Sequence, residues 1–203
     1  MKPFPAIATL EFREIPAGMV ATDAMVKRSP IALLRNGLIS AGRYLTLIGG
    51  STAAVEEAWQ EGLRVGGEDL LDEVFLPDVH PQLWHALQGE RRPAEGEAMG
   101  VLETETVSAV LAATETALKT ADLTLMELRF ADSLLAGRAV SLLHGVLHDV
   151  EAGLDAAVYR LTSNRSAVSH RIISAPHEAL FRHVEGSTSF HEARGLQLDG
   201  EMG

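Results

Sequence analysis

The chain has 203 residues, 46% apolar and 22% charged, with a formal charge of −11, no basic run and no cysteine. That composition belongs to a globular protein, excludes a phosphate backbone as the main partner, and removes disulfides, thiol catalysis and thiolate-held clusters. The opening MKPFPAIATLEF lacks the apolar core of a signal peptide, and no apolar run approaches the ~18 residues of a membrane span.

Ala6–Phe12 alternates and predicts a strand. Pro16 can open a helix at its first position, and Ala17, Val20, Ala21 and Ala24 then share one face. Ile31–Leu34 reads as a second strand. The small-residue loop Ser40-Ala41-Gly42 follows, then a third strand over 43–48 that stops at Gly49-Gly50. Ser51 is a candidate N-cap for a helix through Leu63, which Gly66-Gly67 ends. A fourth strand over Leu70–Leu76 and a short helix from His80-Pro81 complete the unit.

The same order then returns. Leu10-Glu11 and Lys27 match Leu102-Glu103 and Lys119 at an offset of 92, and Gly42, Gly50 and Val55-Glu56 match Gly137, Gly145 and Val150-Glu151 at 95. His80 matches His177 at 97, so the drift is small and the chain is a tandem duplication. The second unit predicts a helix over 106–120 with Val107, Val110, Leu111, Ala117 and Leu118 inward. Strands follow at 123–128, 138–143 and 167–173, with a helix from His148 or Asp149 through Leu161 and a last helix from Pro176-His177.

The expected domains are 1–88 and 99–186, joined by the polar Gly- and Pro-containing linker 89–98 and followed by a loose tail, 187–203. The order β-α-β-β-α-β in each is the split βαβ arrangement, an α+β, ferredoxin-like fold whose four-stranded sheet carries helices on one face.

LEFREIPAGMVATDAMVK (10–27) and GVLETETVSAVLAATETALKTADLTL (100–125) resemble the opening of a bacterial microcompartment shell domain. The stretches 39–56 and 134–151 resemble that family's pore loop and following helix. PHEALFRHVEG (176–186) is similar to the end of the tandem-domain member from propanediol-utilising compartments. The resemblance covers both halves, nearly 6–186, in the family's unpermuted order.

It implies a homotrimer whose six domains imitate a hexagon, a BMC-type tile that packs edge to edge with other shell proteins around enclosed enzymes, in a compartment within the cytoplasm. Small polar or anionic metabolites would cross a central pore lined by Ile39, Ser40, Ala41 and Gly42 and by Leu134, Leu135, Ala136 and Gly137. Lys27, Lys119, His80 and His177 would lie at tile edges, where Asp78 and Ala175 stand in place of the family's edge arginine. In a relative the position of Ser40 is a cysteine that helps hold an iron–sulfur cluster, so no cofactor and no metal is expected here.

Other signals have plainer readings. His144 and His148 are four apart, but Gly145 breaks the helix that would align them on a metal. Glu103, Glu105 and Glu115 read as a solvated face, Trp59 and Trp84 as packing residues, and Asn164-Arg165-Ser166 as a sequon without a secretion signal. No nucleophile–base pair or phosphate-cradling loop emerges, so no enzyme is expected. A trimeric small-molecule-binding regulatory protein is the alternative, although no Arg- or Lys-rich ligand loop supports it.

Overall fold

The computed structural model describes residues 6–93, 96–163, 166–186, 188–192 and 195. Asn164 and Arg165 of the sequon and most of the expected 187–203 tail lie outside the described residues.

The first half runs β1 (Ala6–Phe12), α1 (Ile15–Arg28), β2 (Leu33–Ile39), β3 (Arg43–Gly50), α2 (Thr52–Gly66), β4 (Leu70–Leu76) and α3 (Pro81–Leu87). The second runs β5 (Ala98–Thr104), α4 (Val107–Thr120), β6 (Thr124–Arg129), β7 (Ala139–Gly145), α5 (Leu147–Ser163), β8 (Val168–Ser174) and α6 (Glu178–Gly186). The two antiparallel sheets have the same order, β2-β3-β1-β4 and β6-β7-β5-β8. Their registers repeat too: Ala6 faces Gly50 as Ala98 faces Gly145, and Leu10 faces Glu73 as Leu102 faces His170. The fold is the α+β duplication that the spacing predicts.

β2 continues to Ile39, beyond the Leu34 end expected from its apolar pattern. It is an edge strand, and its backbone ladder with β3 holds Arg35 and Asn36 in place without burying them. The Ser51 hydroxyl accepts from the Ala54 amide at 3.3 Å and caps α2, as expected.

Alternation sorts each sheet into two faces. Ala6, Ala8, Leu10 and Phe12 pack with Ala21, Met25, Val55 and Ala58 of the long helices α1 and α2. α2 comes in close: a side chain at Gly62 would meet Leu10 and Met25 at 2.7 Å. Ile7, Leu45 and Leu47, which point the other way, share a core with Leu83 and Leu87 of α3. In the second half, Met99, Met126 and Leu142 likewise pack with Val184 of α6. The long helices therefore occupy one face of each sheet, and each short terminal helix adds cover to the other.

Both short helices end on a guanidinium, but from different parts of the chain. Arg35 donates to the Leu87 carbonyl at 3.1 Å, and Arg91 to the Val184 carbonyl at 2.6 Å. Cations at helix C-termini satisfy orphan carbonyls and oppose the helix dipole. Arg91 also pairs with Glu127 of β6 at 3.2 Å, so this part of the linker is fastened to the second sheet.

The expected inward face of α1 is corrected. Gly18, Ala21, Thr22 and Met25 point inward, whereas Val20 is exposed and Ala17 and Ala24 are half-buried. Gly18 decides the rotation, because a side chain there would strike the Tyr44 ring at 2.5 Å. α4 does bury Val107, Val110, Leu111, Ala117 and Leu118, but it also buries every other residue from Ser108 to Glu115. α5 covers one side of α4, and β4 and β1 of the first half cover the other.

Candidate functional site

The two expected pore loops meet within one chain. Ser40 donates to the Asp132 carbonyl at 2.9 Å and accepts from the Gly137 amide at 2.7 Å, so its hydroxyl is engaged as donor and acceptor by the second loop. Ala41 (φ 64°) and Ala136 (φ 49°) both take the left-handed conformation, followed by Gly42 (φ 71°) and Gly137 (φ 88°). Two alanines at equivalent strained positions mean the same turn is built twice, at a cost of order 1 kcal/mol each. Ala41, Gly42, Leu134 and Ala136 are exposed, Ile39 and Leu135 half-buried, and Gly137 buried.

Arg43 joins this loop pair to the junction between the halves. Its guanidinium donates to the Glu11 carboxylate at 2.9 Å, the Glu105 carbonyl at 2.8 Å and the Gly137 carbonyl at 3.3 Å. The other Glu11 oxygen accepts from the Val107 amide at 2.9 Å, at the N-terminus of α4. Glu11 is fully buried, and burial pushes its pKa above the ordinary carboxylate value against the pull of Val107 and Arg43.

Further polar contacts line the junction. Thr106 donates to Asp72, and the Thr9 and Ser108 hydroxyls meet at 2.8 Å. Gln82 of α3 donates to the Leu123 carbonyl and accepts from the Leu125 amide, both at 2.8 Å. Glu115 is buried and accepts from the His80 amide at 2.9 and 3.0 Å, which corrects its reading as a solvated residue. A helix turn alone does not reveal that a neighbouring domain will cover it.

The expected edge residues divide. Lys119 is drawn into the junction, bonded to the Asp78 carbonyl at 2.6 Å and paired with Glu115 at 2.7 Å. Lys27 stays exposed and pairs with Asp23 at 2.5 Å. The His80 and His177 rings cap α3 and α6, accepting from the Gln82 amide at 3.3 Å and the Ala179 amide at 3.1 Å. Arg138 pairs with Glu103 at 2.6 Å. Arg43, Arg138 and Arg35 are thus each neutralised or tied to backbone. His144 is buried in β7 with Nε2 3.1 Å from the Pro93 carbonyl, and His148 lies in the first turn of α5. Glu11 and Arg91 were missed as functional residues. Glu11 carries a signal, since it recurs as Glu103, while Arg91 has none.

A family model described as the BMC domain matches this chain twice, over residues 6–79 and 98–176. The chain belongs to the BMC domain family. It is 31% identical over 182 residues to the bacterial microcompartment shell protein PduT of Citrobacter freundii, covering 89% of this chain and 98% of the relative. The crystal structure of a microcompartments protein from Desulfitobacterium hafniense superposes with a TM-score of 0.74 at 30% identity, over 87% of this chain and 98% of that one. A fused permuted hexameric shell protein of the RMM microcompartment shares the fold at a TM-score of 0.57 and 21% identity, over 81% and 88%. This chain is therefore a tandem-BMC homologue of microcompartment shell proteins. Among the described residues, no helix is long and apolar enough to cross a membrane.

Proposed function

We propose that three copies close into a six-domain ring, a structural tile of a bacterial microcompartment shell with a pore on its axis. One observation carries this. Met19, Val20 and Val26 of α1 are 53%, 61% and 41% exposed, while Leu111, Ala112 and Leu118, their counterparts 92 positions later on α4, are 0%, 8% and 6% exposed. Within the chain, β4 and β1 cover the α4 face. The repeat of that cover is the free edge strand β8, whose residues are half-buried or exposed. β8 of one copy laid against α1 of the next repeats the junction, and six domains from three copies close the cycle. Each fully buried apolar side chain contributes about 1.5–3 kcal/mol, so three left open per chain favour closure.

Polar groups support the same reading. Glu103 and Arg138 repeat Glu11 and Arg43, but on the open side, where Glu103 pairs with Arg138 and, among the described residues, takes no helix N-terminal amide as Glu11 does. In the ring Glu103 would take the Ile15 amide of the neighbouring copy, as Glu11 takes that of Val107. Asp23, the counterpart of Glu115, would take the neighbouring His177 amide.

Closure would bring three Ser40–Gly137 loop pairs around one axis. With the Ser40 hydroxyl engaged and the nearby arginines tied, the lining is Ala41, Gly42, Leu134, Ala136 and backbone. That favours small polar metabolites in transit, with Arg43 and Arg138 each paired to a carboxylate nearby. The tile would pack beside other shell proteins around encapsulated enzymes in the cytoplasm and have no catalytic role itself.

Light scattering coupled to size exclusion tests the ring. Three 21.8 kDa chains per particle are expected, and Val20→Asp should yield a folded monomer. A wild-type monomer at micromolar concentration, or a Val20→Asp protein that stays trimeric, removes the proposed interface.

A further inference from the structure

The junction also encloses a cleft that the shell reading does not use. It has a volume of about 500 Å³ and is lined by α2 (Trp59), β4 (Asp72, Glu73, Phe75), the start of α4 (Ser108) and the end of α5 (Arg160). That volume falls within the ~300–1,000 Å³ of small-ligand sites. Trp59 stacks on Phe75 with ring centroids 5.5 Å apart, and its indole N–H donates to Glu73 Oε2 at 2.9 Å. Both Asp72 oxygens are engaged, by the Glu73 amide and the Thr106 hydroxyl. Glu73 Oε1 therefore remains as the open carboxylate acceptor. Burial is the largest influence on Glu73 and raises its pKa, with Asp72 adding to it and Arg160 opposing it. Arg160 is exposed, close enough to act on Glu73, yet it forms no ion pair with it.

Duplication makes these choices conspicuous. At the equivalent positions of the open junction stand Leu154 for Trp59, His170 for Glu73 and Val65 for Arg160. The sheet register confirms the second, since Leu10 faces Glu73 as Leu102 faces His170. Packing is repeated across the two halves, but the aromatic–carboxylate–guanidinium set occurs once.

We propose that this cleft binds a small zwitterion of the α-amino acid class, its ammonium on Glu73, its carboxylate on Arg160 and its side chain against Trp59. A lone amine would meet the Arg160 charge, and a lone acid would meet Asp72 and Glu73. A molecule carrying both ends satisfies both. The cleft lies within one chain, so it does not rest on ring closure.

Isothermal calorimetry on the full chain with leucine, phenylalanine and alanine tests it, with 3-methylbutylamine and 4-methylpentanoate as single-charge controls. Saturable binding of at least one amino acid is expected, with neither control binding. Glu73→Gln and Arg160→Ala should each weaken it about tenfold or more, the worth of one charge-assisted hydrogen bond. Arg160 is exposed, so its variant keeps the fold and isolates the contact. Absence of saturable heat for all three amino acids, equal binding of either control, or undiminished binding to Arg160→Ala overturns the proposal.

Discussion

At the scale of single residues, Glu11 sets the character of the junction. A carboxylate removed from water costs several kcal/mol unless it is paired, and this one is met by an amide and a guanidinium. Its pKa still ends above the ordinary 4.5, with burial as the largest cause. Folding therefore favours its protonated form. The stability it contributes is fully present below the unfolded value and is lost as pH rises through the folded one. Glu11→Gln keeps an acceptor for Val107 but removes the titration and weakens the hold on Arg43. The wild type should gain stability relative to the variant as pH falls from 7 toward 4.5. Urea denaturation of both proteins at a series of pH values reads this directly, and a relative loss as pH falls would show that pairing rather than burial dominates. The turn residues give a second expectation. Ala136→Gly should stabilise the chain by roughly 0.5–1 kcal/mol, because glycine takes the left-handed conformation without steric cost. Thermal denaturation checks it, and a lower melting temperature would mean that the alanine methyl packs usefully.

Among the elements, α1 and α4 show what could be read in advance and what could not. Strand and helix order, the duplication and the loop positions were legible because periodicity, caps and glycine placement are local. Ser51 before α2 and the Gly42–Gly137 pair are examples. The inward face of α1 was not legible, because both sides of that helix are apolar and Gly18 against Tyr44 selects between them. Glu115 was misread because a covering domain leaves no local trace. Ser40 was singled out by its loop, but the partners of its hydroxyl lie more than ninety positions away, and no local pattern marks them. The two helices also make a matched experiment. Ala112→Asp places an unpaired carboxylate inside the intrachain junction and should cost about 3–5 kcal/mol of folding stability. Val20→Asp, its counterpart on the exposed α1 face, should leave the folded monomer within about 0.5 kcal/mol. Equal losses in a monomeric background would mean that α1 is already covered in the single chain.

For the whole molecule, the two lysines separate forces within the chain from forces between copies. Lys119 fastens the halves, bonding the Asp78 carbonyl at 2.6 Å and neutralising Glu115, which is buried. Lys119→Glu sets a second carboxylate beside Glu115 and leaves that group without its cation, a loss of about 1–3 kcal/mol. Lower thermal stability is expected before any effect on lattices can be read. Lys27 differs, since its pair with Asp23 is an exposed helix contact contributing a few tenths of a kcal/mol. In a ring that repeats the junction it would take the place of Lys119, beside Asp23 and reaching the Ala175 carbonyl of the neighbouring copy. Lys27→Glu should therefore leave the melting temperature of the single chain unchanged while weakening the three-chain particle and any flat sheets built from it. Light scattering and negative-stain electron microscopy of the same preparation read both effects. A Lys27→Glu particle that holds three chains as firmly as the wild type would take this residue off the interface that closes the ring, and loss of sheets with that particle intact would place it at the tile edge alone.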